Sequence, residues 1–185
     1  DDAAFQQFIL NGLTSKQAAI LRNGVEAITF GKGDAGDIKI TTADLIIDHG
    51  AGIISATNNL GMSGDLDLEV TGNFTLRSSG ILTGSDISSL GHVGKINIKT
   101  RQLSVEQNSI ISSSTPGKGD AGNVNIEASE AIEIKDSLAD AIIPTGVFSN
   151  TVFGNGKGGN IKIKTPRLSL QNGGQLSASS GTVFN

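Results

Sequence analysis

Aliphatic residues return along this chain in pairs two residues apart, with polar or charged residues between them, and the pairs themselves recur. After Gly36, Gly64, Gly94, Gly122 and Gly159, the second and fourth positions are Ile38/Ile40, Leu66/Leu68, Ile96/Ile98, Val124/Ile126 and Ile161/Ile163. Strict alternation places one face of an extended segment in a core and the other in water, so each pair predicts a half-buried strand. A second pair follows in every unit: Leu45/Ile47, Phe74/Leu76, Leu103/Val105, Ile132/Ile134 and Leu168/Leu170. In the second and fourth units it arrives one residue late, as a β-bulge would allow. A third element reads Gly52-Ile-Ile-Ser55, Gly80-Ile-Leu-Thr83, Ser109-Ile-Ile-Ser112, Gly146-Val-Phe-Ser149 and Gly174-Gln-Leu-Ser177. The anchor glycines lie 28, 30, 28 and 37 residues apart, a period that predicts a solenoid. Three short strands per unit predict an all-β chain wound into a parallel β-helix of about five coils.

Coils laid in register bring equivalent residues to about 4.8 Å from one another. The outward position five after each anchor reads Thr41, Glu69, Lys99, Glu127 and Lys164, an alternation of sign that neighbouring rungs favour. Residues 1–22 depart from the pattern. Phe5, Phe8 and Ile9 have helical spacing, and Thr14 with Gln17 forms a capping box ahead of Ala18 to Leu21. This predicts either a short helical cap over the first coil or a degenerate coil whose third strand survives as Asn23-Gly24-Val25. Residues 23–185 hold the repeats.

The long fourth interval has a local cause. From anchor to the aliphatic of the third strand the chain takes 18, 18, 17, 26 and 17 residues. Unit four therefore carries eight or nine extra residues close to Ser137-Leu-Ala-Asp-Ala-Ile-Ile-Pro144. Insertions in solenoids become loops on one face and often carry binding. Ser137, Leu138, Ala141, Ile142, Ile143 and Pro144 are the candidate binding loop, with Leu138, Ile142 and Ile143 as an apolar patch beside Phe148 and Phe153. The competing expectation is a loop that folds flat and buries its own apolar side chains.

Composition narrows the chemistry. A net charge of −4 on 185 residues, with basic residues scattered rather than patched, opposes nucleic-acid binding. With 25 Gly, no Trp, no Tyr and no Cys, the corners are tight and the chain must hold together by packing and sheet hydrogen bonds. Parallel β-helices also serve as polysaccharide lyases and hydrolases, which need clustered carboxylates with a base or metal. The best cluster is Asp65 and Asp67 beside Asp37 and Lys39, and its simpler reading is a solvated face satisfied across rungs. His49 and His92 occupy different places in their units, so they form no repeated metal column. The corners Gly31-Lys-Gly-Asp-Ala-Gly-Asp37 and Gly117-Lys-Gly-Asp-Ala-Gly-Asn123 lack the nine-residue calcium repeat, and Asp34 and Asp120 are expected to hydrogen-bond their own turns. Gly31, Gly33 and Gly36 match a dinucleotide loop in spacing alone, since a strand and not a helix follows. The hydroxyl column Ser55, Thr83, Ser112, Ser149 and Ser177 is too poor in threonine for an ice-binding face. No catalytic residue, metal or cofactor is expected.

The segments Gly117-Lys-Gly-Asp-Ala-Gly-Asn-Val-Asn-Ile126, Pro144-Thr-Gly-Val-Phe-Ser-Asn150 and Gly158-Gly-Asn-Ile-Lys-Ile-Lys-Thr-Pro-Arg-Leu-Ser-Leu-Gln-Asn-Gly-Gly-Gln-Leu-Ser-Ala178 resemble repeats of filamentous-haemagglutinin-like large exoproteins. Their phrasing is closest to the cyanobacterial, S-layer-like type. The resemblance covers residues 23–185 and implies a right-handed β-helix, exported by two-partner secretion through an outer-membrane transporter and used for adhesion outside the cell. The Asn-Pro motifs of that family's secretion domain do not occur here, so a stretch of repeat shaft from a longer protein is expected. The expected partner is a cell-surface glycan or exopolysaccharide, with self-association along the solenoid as a structural alternative and a β-helix carbohydrate-active enzyme as the catalytic one.

Overall fold

The computed structural model describes residues 24–87, 89–139, 141–152 and 155–181. The expected N-terminal helical cap and Phe153 lie outside these residues. Fourteen strands occur among them: β1 (Gly24–Thr29), β2 (Ile38–Thr42), β3 (Leu45–Ile47), β4 (Gly52–Thr57), β5 (Leu66–Val70), β6 (Asn73–Arg77), β7 (Gly80–Ser85), β8 (Ile96–Glu106), β9 (Ile110–Ser114), β10 (Val124–Lys135), β11 (Gly146–Thr151), β12 (Ile161–Lys164), β13 (Leu168–Leu170) and β14 (Gln175–Ser180). All pairings among them are parallel and join each strand to its counterpart one repeat away. The result is a β-solenoid with one sheet in the order β1-β4-β7-β9-β11-β14 and a second built from the first and second strands of every coil.

The aliphatic pairs predicted from alternation form continuous columns. Ile38 pairs with Leu66, Leu66 with Ile96, Ile96 with Val124 and Val124 with Ile161. Leu45, Phe74, Leu103, Ile132 and Leu168 do the same on the second strands. Leu66, Leu76, Ile81, Ile96, Val105, Ile111, Val124, Ile132, Ile134 and Val147 are fully buried in one core. At about 25 cal/mol per Å2 of apolar surface removed from water, such side chains contribute roughly 2 kcal/mol each.

Two details differ from the sequence expectation. In coils three and four the first and second strands run together as the single strands β8 and β10. The extra residue of coil four is a bulge within β10, where Ala128 faces Thr100 and Ala131 faces Gln102. Coil two instead breaks at Thr71-Gly72, and coil five at Pro166, which has no N–H to give to a ladder.

The third strands also differ in register. Gly80 pairs with Ile110 and not Ser109, and Gly146 pairs with Gln175 and not Gly174. The hydroxyl column is therefore Ser55, Thr83, Ser113 and Ser149. Ser112 and Ser177 sit beside Phe148 on the opposite face. In Ser109-Ile-Ile-Ser112 two adjacent aliphatics compete for the core, and a one-residue slip exchanges the faces. Ile111 takes the inward place beside Ile81 and Val147. Anchor to inward aliphatic is then 17 residues in every coil but the fourth, where it is 25.

Candidate functional site

The corner before each first strand is built on two glycine columns. Besides the anchors, Gly33, Gly61, Gly91, Gly119 and Gly156 recur three residues earlier, a signal that the reading of single anchors misses. A Cβ on Gly94 would lie 2.2 Å from the carbonyl oxygen of Gly64, and one on Gly119 would lie 1.9 Å from that of Gly91. Successive corners touch backbone to backbone, which only glycine permits.

Acidic and amide side chains fasten these corners together. The N–H of Asp65 donates to Asp37 Oδ1 at 2.7 Å, that of Lys95 to Asp65 Oδ1 at 2.7 Å, and that of Asn160 to Asn123 Oδ1 at 2.8 Å. Two residues before the anchor the same device recurs, with Met62 N–H donating to Asp34 and Lys157 N–H to Asp120, each at 2.7 Å. Asp34 and Asp120 thus bridge to the next coil and do not close their own turns. A turn-closing bond would leave the next coil's N–H at this exposed corner to water. The bridge satisfies that N–H with a charged acceptor.

The proposed carboxylate cluster is drawn into these ladders. Asp67 accepts from Asn97 Nδ2 at 2.8 Å, and Asn97 accepts in turn from Asn125 Nδ2 at 2.8 Å. The column Glu69, Lys99, Glu127 and Lys164 is in register, and Lys164 Nζ meets Glu127 Oε1 at 2.5 Å. This hydrogen bond and the lysine charge hold the Glu127 carboxyl below the usual carboxylate range. On the second-strand face, a hydrogen bond to Glu133 holds the Lys135 ammonium above its usual range.

The hydroxyl column of the third strands faces inward. Ser55, Thr83, Ser113 and Ser149 are buried. Thr83 and Ser113 donate to the Gly94 carbonyl at 2.8 Å, and Ser149 donates to that of Gly122 at 2.7 Å. They hold the anchor corner from inside and present no face to solvent.

Both histidines are corner residues. His92 Nδ1 accepts from the Asp120 N–H at 3.2 Å, continuing the ladder. His49 has φ of 54° and belongs to a column with Ser78, Gln107, Asp136 and Asn172, all left-handed non-glycine residues just after the second strand. Sequence reading had no means to see this column, because its five members share no side-chain type. No group of three or more His, Asp or Glu arranged to hold a metal ion occurs among the described residues.

The insertion spans residues 138–144, between Ser137 and Thr145. Thr145 N–H donates to Ser137 Oγ at 3.2 Å, closing the loop at its base. Asn108 of the preceding coil grips both ends. Its Oδ1 accepts from Leu138 N–H at 2.8 Å, and its N–H donates to Thr145 Oγ1 at 2.7 Å. The expected patch is divided. Ile143 packs with Leu82 on Ile110 and Phe148, against the outer side of the third-strand sheet. Leu138 and Ile142 stay 50% and 59% exposed, while Ala141 and Pro144 are half-buried.

Comparisons with protein-family models, characterised proteins and solved structures found no match.

Proposed function

We propose that this chain is a non-catalytic shaft segment of a secreted or cell-surface adhesin, whose parent protein leaves the cell through an outer-membrane transporter. The observation that carries this reading is the single interruption at coil four. In a stack whose other coils all take 17 residues from anchor to inward third-strand aliphatic, the 138–144 loop is clamped by Asn108 and Ile143 and sets Leu138 and Ile142 in solvent. The sequence resemblance to large exoprotein repeats supports the same reading, as does the use of corner carboxylates as intercoil fasteners.

The test is attachment of beads carrying the chain to bacterial cells and to purified exopolysaccharide, with and without residues 138–144. Excision leaves Lys135-Asp136-Ser137-Thr145-Gly146 between Ile134 and Val147, the same length as Glu106-Gln107-Asn108-Ser109-Ile110 in coil three. The expected outcome is an intact fold with attachment sharply weakened. Failure of the intact chain to attach to either surface overturns the adhesin reading.

Self-association along the solenoid is favoured by a different observation. Leu168 and Leu170 on the last described rung are 43% and 45% exposed, and the outer edges of β12, β13 and β14 have no strand partner among the described residues. Sedimentation of the chain against a Leu168→Asp/Leu170→Asp variant separates a filament-forming protein from a monomeric shaft.

A further inference from the structure

We propose that a polar groove on the second-strand face, above Ala131, binds an acidic polysaccharide of the uronate class. The proposal rests on the attachment reading and assigns it a second, separate site. The outward column here runs Asn73, Gln102, Ala131 and Arg167, one residue per coil. Its neighbour runs Thr75, Ser104, Glu133 and Ser169. Ala131 is the one short side chain in the first column, and the gap it leaves is the floor of a groove of about 210 Å3.

Charge selects the ligand. Around the groove Arg101 pairs with Glu130 at 2.9 Å, Lys135 with Glu133 at 3.2 Å and Arg77 with Glu106 at 3.4 Å. Three cations are thereby neutralised within the protein. Arg167 lines the groove together with Glu133, whose charge Lys135 balances, and the Arg167 guanidinium has no side-chain partner among the described residues. A carboxylate is the group its planar fork of donors fits best. The Thr75 hydroxyl also makes no hydrogen bond among the described residues, and the Gln102 amide, which donates to Glu130 at 2.8 Å, keeps its oxygen free for a sugar hydroxyl.

Geometry selects a glycan over a peptide. The groove lies in the middle of a sheet, where backbone groups are already paired between coils, so no strand can be added. Phe74 and Leu103 turn their side chains into the core, which leaves no apolar socket for a peptide anchor. The four rungs from Asn73 to Arg167 span about 14 Å at roughly 4.8 Å per rung, room for about three sugar rings laid along the solenoid axis. With no Trp or Tyr in the chain, binding relies on hydrogen bonds and one ion pair and is weak per site.

Calorimetric titration of the full chain with a galacturonic acid pentamer tests the assignment. Saturable binding is expected, falling at least tenfold in Arg167→Gln and in Ala131→Gln, whose longer side chain fills the floor. Circular dichroism checks folding, and Thr75→Val provides a third variant with little structural consequence, expected to weaken binding about threefold. Maltopentaose and a glutamate pentapeptide are expected to bind at least tenfold more weakly than the uronate. Absence of uronate binding, unchanged binding in folded Arg167→Gln and Thr75→Val, or equal binding of the neutral glycan or the peptide overturns the proposal. Bead attachment measured on the same proteins keeps the two readings apart. Attachment by a chain that ignores the uronate sinks the groove alone, and uronate binding without attachment sinks the adhesin.

Discussion

Single residues in this stack are constrained mainly by what lies one coil away. Gly94→Ala places a methyl against the Gly64 carbonyl, and separating two laddered backbones to admit it is expected to cost about 2–3 kcal/mol. Gly31→Ala meets nothing within 4 Å and is expected to stay within about 0.5 kcal/mol of the parent. Urea midpoints of the two variants decide. Asp65→Ala leaves the Lys95 N–H without its acceptor and is expected to cost about 1 kcal/mol, whereas Asp65→Asn keeps an oxygen there, as Asn123 does. Gln107 is exposed and left-handed with φ of 56°. Gln107→Gly is expected to raise stability by about 1 kcal/mol by relieving that conformation. The pairs across and along strands add a pH dependence. Glu127 is lowered in the fold by Lys164, so its contribution is present above the unfolded carboxylate range and lost as pH falls through the folded value. Lys135 is raised, so its contribution is present below the unfolded lysine value and lost as pH rises through the folded one. Lys164→Met is expected to flatten the acid limb of a stability profile followed by urea midpoints.

Strands show where the sequence could be read and where it could not. The first and second strands were legible at every inward position, because isolated aliphatics at alternate places allow one register only. The third strands of coils three and five were not. Adjacent apolar residues such as Ile110 and Ile111, both buried, one under the insertion and one in the core, leave two registers open, against either of which Leu176 could be aligned. Ile110 gave no hint in the sequence that an external loop would cover it. The fasteners were half legible. Asp34, Asp37, Asp65 and Asp120 stood out as repeated corner acids, but their acceptor role is defined by an N–H 28 to 37 residues away. The loop was legible as an excess of length, and its division into a pinned Ile143 and an exposed Leu138 and Ile142 depends on the packing of Phe148. Ile143→Ser is expected to cost about 1 kcal/mol by uncovering Ile110 and Phe148. It should also increase protease cleavage within 138–144 while the core ladders persist.

For the whole molecule, the order of contacts is almost one-dimensional, each coil touching its neighbours through the same columns. Local stability therefore depends on position in the stack. Amide exchange is expected to be slowest in β5 to β10, whose core positions are fully buried, and faster in β12 to β14, where Ile161, Ile163 and Leu176 are half-covered. Uniform exchange across all coils would contradict this and indicate that the stack opens as one unit. The corner fasteners carry one more consequence. Each of the first four coils offers its successor a glycine carbonyl and at least one side-chain acceptor, from Asp34 and Asp37, Asp65, His92, or Asp120 and Asn123, so the corner of one coil can seat the backbone N–H groups of another. Crossover between two repeats in the gene, at equivalent codons, would join compatible faces and yield a rod longer or shorter by whole coils. Reach can then vary between lineages while the rules of folding stay unchanged.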